Sequence, residues 1–337
     1  MLSSSKHERA RRVRLAITMG DPAGIGPEVA LAAVTAPAVR RLVEPLLVGD
    51  PGVWRDTAQR LRLAVDFVEG EAPAPAAVLR IAVTSRLSAR QRRPGDPRGR
   101  AAGLGAAAYA AIIEAVRRVQ RGEARGVVTA PISKAHLAAA GHDVPGHTEL
   151  LAHLAGDVPV RMMMAGPVLR VVLVTTHLAL AAVPRRLTAD LVRETIAITA
   201  RAMRTQFGVP RPRLAVAGLN PHAGEHGLFG DEEVRIIAPA VRAARRGGID
   251  ASGPLAADTV FAQAVGGAYD AVVCMYHDQG LGPFKLLHFA DGVNVTLGLP
   301  FVRTSPDHGT AFDLAGRGRA DARSMVAAVR LAARLAA

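Results

Sequence analysis

Strand-length apolar runs alternate with helical periodicity along almost all of this chain, and that alternation limits the fold more than any other feature. Strands are predicted at 13–19, 45–48, 78–83, 126–129, 169–175, 213–217, 271–275 and 292–296, with helices between them at 27–36, 103–121, 189–207, 232–247 and 322–335. Such a pattern predicts an α/β fold: a mostly parallel sheet covered by helices on both faces. At 337 residues the chain exceeds the usual single-core limit, so two α/β/α domains or one large α/β unit are expected. Aromatics supply only 4% of the residues, so the cores must be built from Ala, Val, Leu and Ile. The polar 90–100 stretch and the EAPAPAA patch at 71–77 read as surface loops.

Three of the apolar runs end in a histidine: LRVVLVTTH at His177, LAVAGLNPH at His222 and DAVVCMYH at His277. The carboxyl ends of parallel strands line one edge, where ligands collect. Three imidazoles at that edge suffice to hold a divalent metal with a position left open for substrate. The histidines lie 45 and 55 residues apart, the scale of strand–helix–strand excursions rather than of a local metal finger. His226 competes with His222 but lies farther from its strand end. Histidines 7, 136, 142, 153 and 288 have no comparable context and default to surface or capping roles.

A formal charge of +13 without a nucleic-acid reader motif favours small anionic substrates over nucleic acid. The single cysteine, Cys274, sits in an apolar run and reads as a buried hydrophobe. The N-terminus lacks a signal-peptide core and no apolar run reaches membrane-span length, so a soluble, cytoplasmic protein without membrane partners is expected.

Other segments carry potential chemistry. MGDPAGIGPE (19–28) links the first strand to a helix and reads either as an anion-binding helix start or as a tight turn. GLGAAA (103–108) matches a dinucleotide fingerprint but follows a loop instead of a strand, so it reads as a helix start. TAPISK (129–134) and GHTE (146–149) offer hydroxyls, an imidazole and an ammonium for phosphate or carboxylate. Downstream, Asp278 follows His277, and Lys285, Asn294 and Arg303 offer donors to an anion.

These motifs, with TTHLAL, GLNPHAGE, YHDQG, GVNVTLGLPFVRTSPDHGTAFD and AGRG, resemble the 4-hydroxythreonine-4-phosphate dehydrogenases of pyridoxal 5′-phosphate synthesis, from Ile17 to the last helix. The resemblance implies a fold like that of isocitrate and isopropylmalate dehydrogenases, with an interdomain cleft and a homodimer sharing its active site. Residues 1–12 fall outside the resemblance and are expected to be a flexible extension; the Gly-rich 141–146 stretch and the 304–309 stretch read as domain crossings, which makes 13–140 with 306–337 one domain and 141–305 a second, expected to carry the metal and the dimer interface. Carried over, the metal ligands fall on His177, His222 and His277, and the substrate contacts on His147, Thr148, Lys285, Asn294 and Arg303. Asp258, Asp278 and Lys285 are the candidates for the general base. The implied reaction is oxidation of 4-phosphooxy-L-threonine at C3 by NAD (NADP being the alternative), then decarboxylation to 3-amino-2-oxopropyl phosphate. One divalent metal per site is implied: zinc, cobalt or magnesium. The NAD site carries no Rossmann fingerprint and its residues stay unassigned. Two rivals are a related dehydrogenase acting on 4-phospho-D-threonate, erythronate or another diol, and a three-histidine metal hydrolase that uses no nicotinamide.

Overall fold

Twelve strands, most of them short runs of Val, Leu, Ile and Ala, hydrogen-bond into one sheet in a computed structural model of the chain that describes residues 12–70, 75, 78–144 and 146–337. In chain order they are β1 (Val13–Thr18), β2 (Val43–Gly49), β3 (Phe67–Glu69), β4 (Leu79–Val83), β5 (Gly126–Val128) and β6 (Arg161–Ala165), followed by β7 (Arg170–Leu173), β8 (Leu214–Ala217), β9 (Ala251–Leu255), β10 (Ala271–Cys274), β11 (Val293–Leu297) and β12 (Val302–Pro306). Their spatial order is β3-β4-β2-β1-β5-β12-β11-β6-β7-β10-β8-β9. Pairing is parallel except along β12-β11-β6-β7, where each neighbouring pair is antiparallel. The N-terminal extension expected at 1–12 falls outside the described residues but for Arg12, and so does most of the 71–77 loop.

All eight predicted strands form, and β3, β6, β9 and β12 are additional. β12 pairs with β5 on one side and β11 on the other, so it joins the two halves of the sheet. Its VRTSP sequence looks polar, yet all five residues are buried: Arg303 donates from two of its three nitrogens to the Thr129 and Thr296 hydroxyls, and Thr304 donates to the Ala328 carbonyl.

Helices cover the sheet and bury aliphatic faces against it. Trp54 and Phe284 are the only aromatic side chains among the largest fully buried ones, the rest being Leu, Ile, Met and one arginine, as the composition requires. The 20-residue helix Ala101–Gln120 begins at the rejected fingerprint. Its Gly105 is packed against the carbonyl of His136, where no Cβ fits, so the glycine serves helix packing.

The MGDPAGIGPE segment is likewise architectural. Residues 19–28 are all buried. Asp21 N–H donates to the Pro131 carbonyl at 2.8 Å and Ile25 N–H to the Thr310 carbonyl at 2.9 Å. A Cβ on Gly26 would lie 2.5 Å from the Met19 carbonyl. Glu28 accepts from Gly316 N–H at 2.5 Å, and burial raises the pKa of its carboxyl. Of the two readings, the tight turn is the one the fold uses: the segment locks together the loops that follow β5 and β12.

Two surface assignments are corrected. His136 is 5% exposed and holds Asp21 at 2.6 Å, while His288 is 4% exposed and holds Asp291 at 3.1 Å. Each lies on a short or proline-containing helix with weak periodicity, and its acid partner is what lets it be buried. His142 stacks on Tyr109 with ring centroids 3.6 Å apart. His7 lies outside the described residues.

Candidate active site

Two features meet at one end of the sheet. The first is the histidine edge. β7, β10 and β8 are adjacent and parallel, so His177, His277 and His222 all follow strand ends on the same edge. Those ends are braced. Thr175 donates its hydroxyl to the Met275 carbonyl at 2.7 Å, tying the end of β7 to that of β10. Gln279 accepts from Met275 N–H at 2.7 Å and donates to the Gly218 carbonyl at 2.6 Å, tying the end of β10 to the loop after β8.

His177 and His277 face each other with ring centroids 5.6 Å apart. His277 opens the helix His277–His288, with Nδ1 2.7 Å from Asp278. His222 lies elsewhere on the edge, its Nδ1 3.6 Å from Asp258 and its ring beside Phe229. The Asp278 carboxylate on His277 Nδ1 favours the tautomer with a free Nε2 lone pair, which is how metal-binding imidazoles are oriented, whereas Asp258 is near His222 without a hydrogen bond to it. Loss of surrounding water, and next the Lys134 ammonium, lower the pKa of His177, so its ring is neutral as a ligand must be. The donors therefore suit a divalent cation. Among the described residues, however, no group of three His, Cys, Asp or Glu side chains converges within one chain. Asp258 and Asp278 are both more than half exposed beside their histidines.

The second feature is a cavity of about 410 Å³. Thr129, Pro131, Ile132, Lys134, Gly146 to Glu149, His177, Asn294, Arg303 and residues 305–309 contribute to its walls. Four of the five expected substrate contacts (His147, Thr148, Asn294 and Arg303) thus share one cavity, with His177 at its rim. The fifth, Lys285, stands behind the wall. Its ammonium pairs with the Asp307 carboxylate, donates to the Asp307 carbonyl at 3.1 Å and lies 5.5 Å from the Phe289 ring centre.

Polar atoms in this wall lack partners. Arg303 is 2% exposed, yet its donors reach only hydroxyls: Thr129 at 2.7 Å and Thr296 at 2.9 Å. Its Nε, His147 Nε2, Asn294 Oδ1 and His308 Nε2 are buried without a hydrogen bond. Burial pushes the Arg303 pKa down to about 10, which leaves it charged at neutral pH. Burial, then the Arg303 charge, hold His147 well below the usual imidazole range and therefore neutral. Glu149, on the same cavity wall, acts on Arg303 through its charge but forms no hydrogen bond or ion pair with it among the described residues. A buried cation with no directly bonded carboxylate, next to unsatisfied polar atoms, describes a site shaped for an anion.

Reading the sequence missed Gln279, Asp307 and Glu233, the last a carboxylate beneath the His222 loop. Gln279 lies within the quoted YHDQG and Asp307 within TSPDHGT; Glu233, in a run of charged helix-forming residues, carried no local signal.

A mixed α/β sheet with a polar cleft at its strand ends places the chain in a fold class that also holds a solved structure described as a β-decarboxylating dehydrogenase. That structure, from Thermococcus kodakarensis, covers 94% of the chain with a TM-score of 0.50 at 12% identity, which speaks for the fold alone. The narrower assignment comes from sequence. Residues 41–332 match the family described as "Pyridoxal phosphate biosynthetic protein PdxA", and the chain belongs to that family. It is 55% identical over 327 residues to a 4-hydroxythreonine-4-phosphate dehydrogenase of Geobacter metallireducens, covering 96% of this chain and 95% of that one. The crystal structure of the Klebsiella pneumoniae protein of the same name is similar, with a TM-score of 0.86 at 43% identity over 97% of this chain and 99% of that one. A terephthalate 1,2-cis-dihydrodiol dehydrogenase from Burkholderia xenovorans is 31% identical with a TM-score of 0.67, covering 96% of this chain and 98% of that one.

Proposed function

We propose that this chain is a 4-hydroxythreonine-4-phosphate dehydrogenase. It oxidises the C3 hydroxyl of 4-phosphooxy-L-threonine, passing hydride to NAD and releasing a proton. The resulting β-keto acid then loses carbon dioxide to give 3-amino-2-oxopropyl phosphate. The observation that carries this reading is the buried Arg303, bonded to hydroxyls and to no carboxylate, beside unpartnered His147 and Asn294 atoms in one cavity. Arg303, His147 and Thr148 bind the charged ends of the substrate, and Asn294 orients it. These contacts hold the reacting carbon in place, which lowers the entropic part of the barrier. Lys285, Asp278 and Asp258 are the candidates to take the hydroxyl proton; Lys285 can do so only as the neutral amine, after passing the proton it shares with Asp307 to that carboxylate or to solvent.

His177, His222 and His277 would hold one divalent cation, zinc, cobalt or magnesium. When bound, it supplies Lewis acidity that favours loss of the hydroxyl proton and stabilises negative charge on the carbonyl oxygen during decarboxylation.

The site is completed in a homodimer. Large apolar side chains follow each histidine and face solvent in the single chain: Leu178 and Leu180; Leu228 (73% exposed) and Phe229; Leu286 (86%) and Phe289 (80%). A patch of this kind marks an interface, and covering it brings histidines of two chains together. Residues 13–140 with 306–337, and residues 141–305, form the two walls of the cleft. No helix among the described residues is long and apolar enough to cross a membrane, and the enzyme is assigned to the cytoplasm.

The test is NADH formation from 4-phosphooxy-L-threonine with and without a chelator, alongside 4-phospho-D-threonate and a non-phosphorylated cis-diol. Turnover is expected with the first substrate, suppressed by chelation and abolished in His222→Ala with the fold intact. Preference for either other substrate, or full metal-dependent activity in His222→Ala, overturns the reading.

A further inference from the structure

The turn that presents His222 runs left-handed. His222, Ala223, Gly224, Glu225 and His226 have φ of 51°, 53°, 80°, 41° and 56°. Four of these five bear side chains, whose Cβ atoms crowd the following carbonyl in this conformation. Such a run persists only where its surroundings over-determine it.

Those surroundings centre on Glu233, which is 2% exposed. One of its oxygens accepts Leu219 N–H at 2.6 Å and Asn220 N–H at 2.7 Å. The other accepts Asn220 Nδ2 at 3.0 Å, and Glu232 takes the same amide at 2.7 Å. A Cβ on Gly224 would lie 2.7 Å from this second oxygen, so only glycine leaves the carboxylate its place. Among the described residues Glu233 forms no ion pair with a basic side chain: its buried charge is satisfied by the turn. Glu233 also opens a π-turn, Glu233–Ile237, a local irregularity that often accompanies function.

We infer that Glu233 is a positioning residue: its carboxylate anchors the entry to the turn at Leu219 and Asn220 and packs against Gly224 within the left-handed 222–226 run, and thereby presents the His222 imidazole to a divalent cation. This rests on the reading of His222 as a ligand. Glu233 acts through the backbone of the turn and touches neither substrate nor cation.

The test is competition for Zn²⁺ against a chromophoric chelator in the full-length protein, with the visible spectrum of the Co²⁺-loaded protein and the melting temperature of the metal-free protein. Glu233→Ala is expected to bind Zn²⁺ about 10- to 100-fold more weakly, the usual cost of losing an outer partner of a ligand, with an altered Co²⁺ spectrum. Glu233→Gln, which keeps an acceptor for the two backbone N–H groups, is expected to restore most of both. Wild-type affinity and spectrum in Glu233→Ala, while His222→Ala loses both, overturn the inference and leave the ligand assignment standing. Wild-type affinity in both variants overturns the ligand assignment and the inference with it. Should Glu233→Ala fail to fold, Gly224→Ala puts a methyl group against the same carboxylate; the same loss is expected, and wild-type affinity there overturns the inference.

Discussion

A guanidinium 2% exposed, with two threonine hydroxyls for hydrogen-bond partners and the Glu149 charge acting on it without a direct bond, is a weakly compensated charge in the interior. Fold stability alone gives no reason to keep it. Arg303→Met removes the charge but leaves two hydroxyls without a donor, at about 1–3 kcal/mol each, so the two effects oppose. The expected outcome is a melting temperature within a few degrees of wild type, with kcat/KM lower by about 30- to 1,000-fold, the scale of losing one partner of a buried charged contact. Calorimetry and steady-state kinetics on one preparation check both halves. His147 gives a pH signature. Its folded pKa lies well below the usual imidazole value, so the unfolded chain binds the proton more readily. The corresponding stability is present above about pH 6.5 and is lost as pH falls below it. The melting temperature is therefore expected to drop more between pH 7 and pH 5 in wild type than in His147→Gln, as measured by calorimetry in matched buffers. Residues of this kind were partly legible in sequence: hydroxyl, imidazole and cationic groups near strand ends announced anion binding. The buried role of His136 was not, because Asp21, 115 residues away, had to be brought to it by the fold; Asp291 lies only three residues from His288, but a Gly- and Pro-containing stretch hid the helix that buries that ring.

The histidine edge depends on how neighbouring strand ends are pinned to one another. Gln279 satisfies a buried N–H of Met275 and a carbonyl of Gly218, each one residue past the end of a different strand. Gln279→Ala orphans both, at a cost of about 2–5 kcal/mol, and frees the His222 loop from the start of the His277 helix. Urea unfolding is expected to show a lower midpoint with an unchanged slope. Strands rich in Val, Ile and Leu were readable because burial on both faces demands such runs. β6 escaped because RMMMA spends methionine where β-branched residues are usual, β9 because ASGPL carries Gly and Pro, and β3 because three residues at a sheet edge carry no periodicity. The helix His277–His288 was hidden by Gly280, Gly282 and Pro283, each a breaker in isolation.

At the scale of the whole molecule, the exposed Leu286 and Phe289 predict association. Phe289→Glu is expected to shift the protein from dimer to monomer in sedimentation velocity, with loss of metal-dependent turnover; a stable, active dimer would place the interface elsewhere. The predominantly positive surface, +13 in formal charge, attracts anionic substrates over distances that contacts cannot reach. The sheet's strand order also bears on biosynthesis. The ribosome makes β11 and β12 after the other ten strands, yet both sit at the middle of the sheet, between β5 and β6. Until residues 293–306 emerge, the nascent chain holds two separate part-sheets, each with a bare edge where the other must be joined. Those edges invite mispairing, so synthesis through this stretch is a period of vulnerability for the protein, and nascent-chain chaperones have most to protect there.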